Sequence, residues 1–418
     1  MPFASLGLLP ALVEAATELG FATPTPVQAQ AIPAVLSGAD LLATAQTGSG
    51  KTAAFALPLL QQLQQGQAHT PRRVRALVLV PTRELAAQVG EVMRRLSQAA
   101  HGNQPLKIAV VFGGVSINPQ MMALRGGADV VIATPGRLLD LVEHNALRLA
   151  SVATLVLDEA DRLLDLGFAE ELQRVLALLP DQRQNLFFSA TFPPAVEALA
   201  QGLLRAPVRI EVADAPDTTP VIAQRVIQVD TGRRTELLRH LLQESGWAKV
   251  LVFVATQYSA EHVAWKLYKA GIFATPFHGG LSQGARQKVL EDFKGGGFDV
   301  VVTTDLAARG IDISQLPAVV NYDLPRSAVD YVHRIGRTGR ASESGTAVSF
   351  VTAATEAHFR LIEKRQNLSL PREQIPGFEP TELEAPSVAA TPPGTGGIKG
   401  KRPSKKDKLR ATQGQNGQ

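Results

Sequence analysis

Hydrophobic positions along this chain change their period in a regular way. Near the start, Leu8, Leu9, Leu12, Val13, Ala16 and Leu19 recur at helical spacing and predict an amphipathic helix. From Arg75 onward, short and almost wholly apolar runs alternate with helix-sized stretches. The runs are ALVLV (76–80), IAVVF (108–112), DVVIA (129–133), TLVLD (154–158) and LFFSA (186–190). They are too apolar for half-exposed strands and suit a parallel sheet covered on both faces. Between them stand amphipathic segments such as TRELAAQVGEVMRRLSQAA (82–100), so the pattern is α/β.

The stretch VADAPDTTP (212–220) interrupts the alternation and reads as a linker. The alternation then restarts with QRVIQVD, KVLVFVA, FDVVVTTD, PAVVNYD and TAVSFVT. The expected organisation is a first α/β domain over 1–207, a linker over 208–221 and a second α/β domain over 222–368. An extension over 369–385 and a tail over 386–418 follow. No short repeat period is visible, which argues against a solenoid. The tail is rich in Pro, Gly, Lys and Gln with almost no large apolar residue, so disorder is expected there.

Charge sharpens this division. The formal net charge is +4, yet five Lys and two Arg against one Asp put +6 into the tail and leave −2 for the rest. Any cationic surface on the body must therefore come from placement. The 418 residues contain no cysteine, which excludes disulfides and thiolate metal sites. The N-terminus lacks a basic leader and carries Glu14 and Glu18, so it is not read as a signal peptide. No apolar run reaches the roughly 18 residues that span a bilayer. A cytoplasmic protein without membrane contact is the expectation.

Two local patterns carry chemistry. In ATAQTGSGKTAAF (43–55), Gly48 and Gly50 allow a tight loop whose N–H groups point at phosphate oxygens. Lys51 can reach the β- and γ-phosphates, and the Thr52 hydroxyl can ligate Mg²⁺. A strict search for the phosphate-loop pattern misses the site because Ala45 holds the first glycine position. The plain alternative is a Gly-rich turn before a helix. In TLVLDEADR (154–162), Asp158, Glu159 and Asp161 crowd a strand end. A helix N-terminus favours such acids; beside a phosphate loop they also suit a nucleoside triphosphatase. Asp158 would then hold the metal and Glu159 would polarise the attacking water.

The motifs AQTGSGKT, PTRELAAQ, TPGR, DEAD, SAT, TTDLAARGIDI and HRIGRTGR stand in this order. Together they resemble the DEAD-box RNA helicases of superfamily 2 over residues 3–368. The PGFEP segment (376–380) resembles the bacterial RhlE-type branch. The resemblance implies two tandem RecA-like domains, each a parallel sheet with helices on both faces. It also implies an ATP-dependent enzyme that unwinds or remodels RNA duplexes, with ATP and Mg²⁺ as cofactors.

The resemblance places the ATP contacts on Ala45, Gln46, Thr47, Gly48, Ser49, Gly50, Lys51 and Thr52. GFATPTPVQ (20–28) resembles the family's Q motif: Gln28 would read the adenine edge, Phe21 would stack on the ring, and Thr25 would support the loop. Phe3 stands where the family keeps an upstream aromatic. In the second domain Arg337 and Arg340 match the arginine fingers and Asp312 the ribose contact. Without the family, an Arg at every third position could equally be a generic phosphate or RNA patch. Asp161, Ser189, Thr191 and His333 match the positions that couple hydrolysis to strand separation, although SAT could also be a helix cap and turn. RNA contacts fall on Thr82, Arg83, Gly113, Gly114, Thr134, Arg137, Gln283, Arg286 and Thr304. Each of these alone could be a turn or cap residue.

Such small, hydroxyl, amide and Arg residues suit a grip on the sugar-phosphate backbone, with little sequence preference. Aromatics make up only 5% of the chain, which argues against a base-stacking platform. Val27 and Gly280 depart mildly from the family pattern, and no residue needed for hydrolysis is missing. Two rival functions use the same residues: a DNA translocase, and an ATP-dependent RNA clamp that turns over slowly. The resemblance allows ribosomal or RNA-decay assemblies as partners without selecting one. The basic tail is either an RNA tether or a solubilising segment.

Overall fold

The computed structural model describes residues 2–45, 49–67, 69–100, 105–211, 222–308, 313, 316–339 and 344–382. The expected linker beyond Glu211 and the basic tail lie outside these residues. The N-terminal amphipathic pattern becomes α1 (Pro10–Glu18), which buries Leu12, Ala15 and Ala16. It is followed by α2 (Pro26–Leu36), β1 (Leu41–Thr44), α3 (Lys51–Gln65), β2 (Ala76–Leu79) and α4 (Arg83–Ala99). Then come β3 (Ile108–Val111), α5 (Asn118–Ala123), β4 (Val130–Ala133), α6 (Pro135–Glu143) and β5 (Thr154–Leu157). The first half closes with α7 (Ala160–Asp165), α8 (Ala169–Ala177), β6 (Gln184–Ser189), α9 (Pro194–Leu203) and β7 (Val208–Glu211).

The second half runs β8 (Ile222–Gln228), α10 (Arg234–Ser245), β9 (Val250–Phe253), α11 (Gln257–Lys269) and β10 (Ala274–Phe277). It continues with α12 (Gln283–Gly295), β11 (Val300–Thr303), α13 (Asp305–Ala308), β12 (Ala318–Asn321) and α14 (Ala328–Ile335). It ends in β13 (Gly345–Val351), α15 (Glu356–Gln366) and β14 (Arg372–Glu373). Among the described residues no helix is long and apolar enough to cross a membrane.

The strands assemble into two seven-stranded parallel sheets, ordered β3-β4-β2-β5-β6-β1-β7 and β10-β11-β9-β12-β13-β8-β14. The apolar runs explain both. Side chains alternate across a strand, so Val78, Ile132 and Val156 pack on one face of the first sheet, while Leu77, Val131 and Leu155 pack on the other. The second sheet repeats the division, with Val250, Val300 and Val320 on one face and Leu251, Val301 and Val319 on the opposite one. Helices cover all four faces, the doubly covered arrangement that continuous apolar strands require.

Two stretches differ from the sequence reading. Residues 208–211, expected in the linker, form edge strand β7 paired with β1. Only Ile210 of β7 is buried, so the polar edge gave no apolar run to read. Arg372 and Glu373, expected in the extension, form β14 against β8. The extension also closes over the second sheet: Ile375 and Phe378 pack on its core, and Asp230 accepts hydrogen bonds from Thr381 and Glu382.

Register sets the site. Thr44 of β1 pairs with Ser189 of β6, and Leu157 of β5 pairs with Phe187. The C-terminal ends of β1, β6 and β5 therefore sit side by side, where ligands bind in open α/β sheets.

Candidate active site and nucleic-acid interface

The loop after β1 leaves the sheet with Ala45, whose N–H donates to the Ser189 carbonyl at 3.0 Å. It enters α3 through Gly50, at φ 89° and ψ 18°. A side chain there would be strained by the backbone, and a Cβ would lie 2.4 Å from Gln28 Nε2. Gln28, only 2% exposed, ties this loop to α2. Its Nε2 donates to the Gly50 carbonyl at 3.1 Å, and its Oε1 accepts from the Thr25 N–H at 2.9 Å. Thr25 is the residue from which α2 starts, and Phe21 is half-buried nearby in sequence. Ser49 is described and half-buried; Gln46, Thr47 and Gly48 lie outside the described residues. Phe3, expected beside the nucleotide, is 4% exposed and packs in the first domain's core.

Lys51 opens α3 and is buried, with Thr52 half-buried beside it. Lys51 Nζ lies 3.8 Å from Asp158 Oδ1, too far for a hydrogen bond. Among the described residues neither atom has a hydrogen-bond partner, although both are buried. Such groups cost free energy unless a ligand satisfies them. Glu159 follows at φ 53° and ψ 54°, a left-handed conformation rare for a residue with a side chain. That turn aims adjacent carboxylates differently and starts α7.

The two acids also titrate apart. Burial pushes Asp158 up to about 6, although Lys51 pulls it down and Glu159 pushes the same way as burial. Burial acts on Glu159 too, but Arg162, Lys51 and Arg337 together hold it below its ordinary value. Arg162 Nη1 sits 2.7 Å from Glu159 Oε2, with both side chains buried. The sequence reading gave Arg162 no role. Its signal was available, since an acid and a base three residues apart share one helix face.

Asp161 leads to a third cluster. Its Oδ2 accepts from the Thr191 N–H at 3.0 Å and from Thr191 Oγ1 at 2.8 Å. Its own N–H donates to Ser189 Oγ at 3.2 Å. Here SAT is joined to the acidic turn and does not cap α9, which starts from Pro193.

The second domain faces this site through α14. Arg337, just beyond it, is buried and close enough to lower Glu159. His333 is held below its ordinary value by burial first and then by the Arg162 charge, with Asp161 opposing. Arg334, not singled out from the sequence, is an anchor. It pairs with both Asp305 oxygens at 2.6 and 2.7 Å, donates to Asn321 Oδ1 and lies over the Phe253 ring. Arg340 and Asp312 lie outside the described residues.

The RNA candidates of the first domain gather at the ends of β2, β3 and β4. Thr82 caps α4, its Oγ1 accepting from the Leu85 N–H. Thr134 Oγ1 accepts from the Gly113 N–H at 3.3 Å. Gly114, at φ +77°, lets Arg83 lie against it, since a Cβ would meet that guanidinium at 2.5 Å. Arg137 donates to the Val115 carbonyl at 2.7 Å, while its buried Nη1 has no hydrogen-bond partner among the described residues. In the second domain Gln283 begins α12 with its buried Oε1 likewise unpaired, and Thr304 follows β11.

Arg286, expected at the RNA, meets the first domain. It is 5% exposed, pairs with Glu84 of α4 at 2.9 Å, donates to the His278 and Ala307 carbonyls and lies over the Phe277 ring. It bridges the two domains instead of presenting an open cation. Glu84 went unremarked because an acid in a helix's first turn is ordinary.

Family models match in two segments: residues 25–199 as DEAD/DEAH box helicase and 233–342 as helicase conserved C-terminal domain. The chain is 38% identical to the DEAD-box ATP-dependent RNA helicase CshA of Bacillus cereus, over 90% of this chain and 70% of that protein. It is 40% identical to the ATP-dependent RNA helicase DeaD of Escherichia coli, over 90% of this chain and 59% of DeaD. Among solved structures it resembles S. cerevisiae Dbp5 bound to RNA and ADP BeF3. That match has a TM-score of 0.77 and 30% identity, covering 89% of this chain and 95% of the other.

Proposed function

The chain belongs to the DEAD-box family of ATP-dependent RNA helicases, and from that premise we propose how its own residues divide the work. It is an RNA-dependent ATPase that locally unwinds or remodels RNA. The observation that carries the assignment of roles is the buried pair of Lys51 Nζ and Asp158 Oδ1, neither of which has a hydrogen-bond partner among the described residues. They stand beside Glu159, on which Arg337 of the other domain bears.

Lys51 and the loop N–H groups would hold the phosphates, and Thr52 and Asp158 would hold Mg²⁺. The donor set fits that ion: hard oxygens, too few to cage a metal alone. Among the described residues no group of three or more His, Cys, Asp or Glu side chains could hold a metal, so phosphate and water would complete the shell. Bound there, Mg²⁺ neutralises charge on the phosphate oxygens. Glu159, kept ionised by Arg162, accepts a hydrogen bond from the attacking water. Arg337 stabilises charge on the transferred group, with Arg340 assigned the same task by motif position. A finger of this kind is worth about 10³–10⁵ in rate. Because Arg337 belongs to the second domain, hydrolysis requires the domains to be together.

RNA is gripped through Thr82, Arg83, Gly113, Gly114, Thr134, Arg137, Gln283 and Thr304. The Asp161–Ser189–Thr191 cluster, with His333 facing it, links the two sites. Affinity should fall with salt by roughly 0.7 log unit per log unit for each phosphate neutralised. We also place the chain with the RhlE-type branch, supported by the PGFEP segment, whose Phe378 closes on the second domain beneath Arg233.

The test is Glu159→Gln. It should retain ATP-dependent RNA binding and lose multiple-turnover hydrolysis. Normal turnover by that variant would refute the role given to Glu159. RNA-stimulated ATPase activity that DNA does not reproduce separates this reading from a translocase on DNA.

A further inference from the structure

Aromatic residues are scarce in this protein, and their exposed members are gathered in one place. Among the described residues, four aromatic side chains are strongly exposed: Tyr258 (76%), Trp265 (57%), Tyr268 (61%) and Phe273 (60%). All four lie on α11 or in the short turn after it. The core-facing side of α11 is a different set, Ala260, Val263, Ala264 and Leu267. The exposed rings are therefore not a frayed part of the core.

Tyr258, His262, Trp265 and Lys269 follow one another at intervals of four, three and four residues, a single stripe along the helix. Contacts along it agree. The Tyr258 and His262 rings are stacked at 5.7 Å and 12°, and Lys269 Nζ lies 5.8 Å from the Trp265 ring centre. The stripe is about 17 Å long at 1.5 Å per residue. Its start adjoins the candidate RNA loop. Gln257 lies against Gly279 and Gly280, and Glu261 pairs with His278 at 2.8 Å. That loop leads directly into Gln283.

We infer that the outer face of α11 is a base-stacking platform for single-stranded RNA that continues from the backbone-gripping groove. Flat, exposed rings interleaved with Lys266, Lys269 and His262 are the composition that binds unpaired nucleic acid. A protein-binding patch of this size would instead be depleted of charge at its centre. Glu261, the carboxylate on the helix, is already engaged by His278. Stacking uses a face that every base has, so the platform lengthens the RNA footprint and adds no sequence preference. The low aromatic content of the chain argued against base stacking, but content alone does not register that the exposed rings are concentrated on one helix.

This inference rests on the RNA-helicase reading, and the experiment separates the two. ATP-dependent binding of the full chain is measured with a short single-stranded RNA that fills the groove alone, with the same RNA extended at either end, and with an abasic extension. Tyr258→Ala and Trp265→Ala each should weaken binding of one extended RNA by about tenfold. Both should leave the short and abasic RNAs and the maximal ATPase rate unchanged. Of the two tryptophans, Trp247 and Trp265, a Trp247→Phe background leaves Trp265 as the reporter. Its fluorescence should be quenched by the extended RNA only. Equal weakening on all three RNAs, no weakening on any, or quenching by the abasic extension overturns the platform. Failure of short RNA to stimulate the wild-type ATPase would instead overturn the helicase reading.

Discussion

At the scale of single residues, the decisive feature is that two neighbouring carboxylates are driven apart in acidity. For Asp158, burial outweighs the Lys51 ammonium and a backbone hydrogen bond from Glu159, and it rises to about 6. Glu159 has Arg162 at 2.7 Å and stays low. Two groups that must serve differently are thereby separated by environment alone. A metal ligand must be deprotonated, so Mg²⁺-dependent nucleotide affinity should rise as pH passes upward through about 6 and level off above it. Asp158→Asn should bind weakly with no such rise; fluorescent-nucleotide titrations from pH 5 to 8 would show it, and a flat wild-type profile would contradict it. The linkage sign for stability is opposite. A carboxyl with a raised folded pKa holds its proton more tightly when folded, so its contribution to stability of the ligand-free protein falls as pH rises from 3.8 through about 6. Arg162→Gln removes the cation that keeps Glu159 ionised. We expect the acid limb of the ATPase pH profile to move to higher pH and the rate at neutral pH to fall about tenfold. Arg162→Lys should recover part of it. An unmoved acid limb would leave Arg162 a merely structural partner.

At the scale of elements, the phosphate loop shows how a helix start is made into a site. Gly50 carries a left-handed backbone and lies against Gln28, so the Q-motif helix and α3 are locked through one residue without a side chain. Gly50→Ala should cost about 1–3 kcal/mol in urea unfolding and, by displacing Gln28, should weaken ATP binding more than tenfold. Gly38→Ala is the control: its φ is +83° but a Cβ there meets nothing within 4 Å. It should lose comparable stability and keep its nucleotide affinity, and equal losses of affinity would remove the special role of Gly50. The same elements explain what the sequence disclosed. Buried strands such as Val130–Ala133 and Val300–Thr303 announce themselves because both faces are covered and nearly every position is apolar. Strands β7 and β14 do not, since their residues are mostly polar or exposed: only Ile210 of β7 is buried, and β14 is Arg372–Glu373. Motif residues located Lys51, Asp158 and Glu159 because phosphate chemistry fixes residue type and spacing together. Arg162, Glu84 and Arg334 escaped because their meaning lies in tertiary partners. The burial of Phe3 and Arg286 was hidden for the same reason: a motif position does not tell how deeply a side chain is packed.

At the scale of the whole molecule, the question is what holds two separately folded sheets in the arrangement that brings Arg337 to Glu159. The Arg286–Glu84 pair is the clearest bridge. Arg286 is preset within its own domain, by the His278 and Ala307 carbonyls and the Phe277 ring, before Glu84 is added from the other. Separating the domains returns Glu84 to water while Arg286 keeps these contacts, so loss of the acid should act on the closed state alone. Removing one partner of a buried pair costs about 3–5 kcal/mol because a charge remains uncompensated. Relief by opening caps the effect on the closure equilibrium near the lower end of that range. Glu84→Gln should therefore shift the domains toward the open form. Interdomain fluorescence transfer in the presence of ATP and RNA should report it, with about a hundredfold more RNA needed for half-maximal ATPase activity. ATP affinity of the RNA-free protein should be unchanged, since Lys51, Gln28 and the loop around them belong to the first domain. Exchanging the pair, with Glu84→Arg and Arg286→Glu together, should recover some of the closure that either substitution loses. A Glu84→Gln variant that closes normally but binds RNA poorly would return Arg286 and its partner to the nucleic-acid groove. A variant that closes poorly and is rescued by the exchange assigns them to the hinge between the halves of the ATP site.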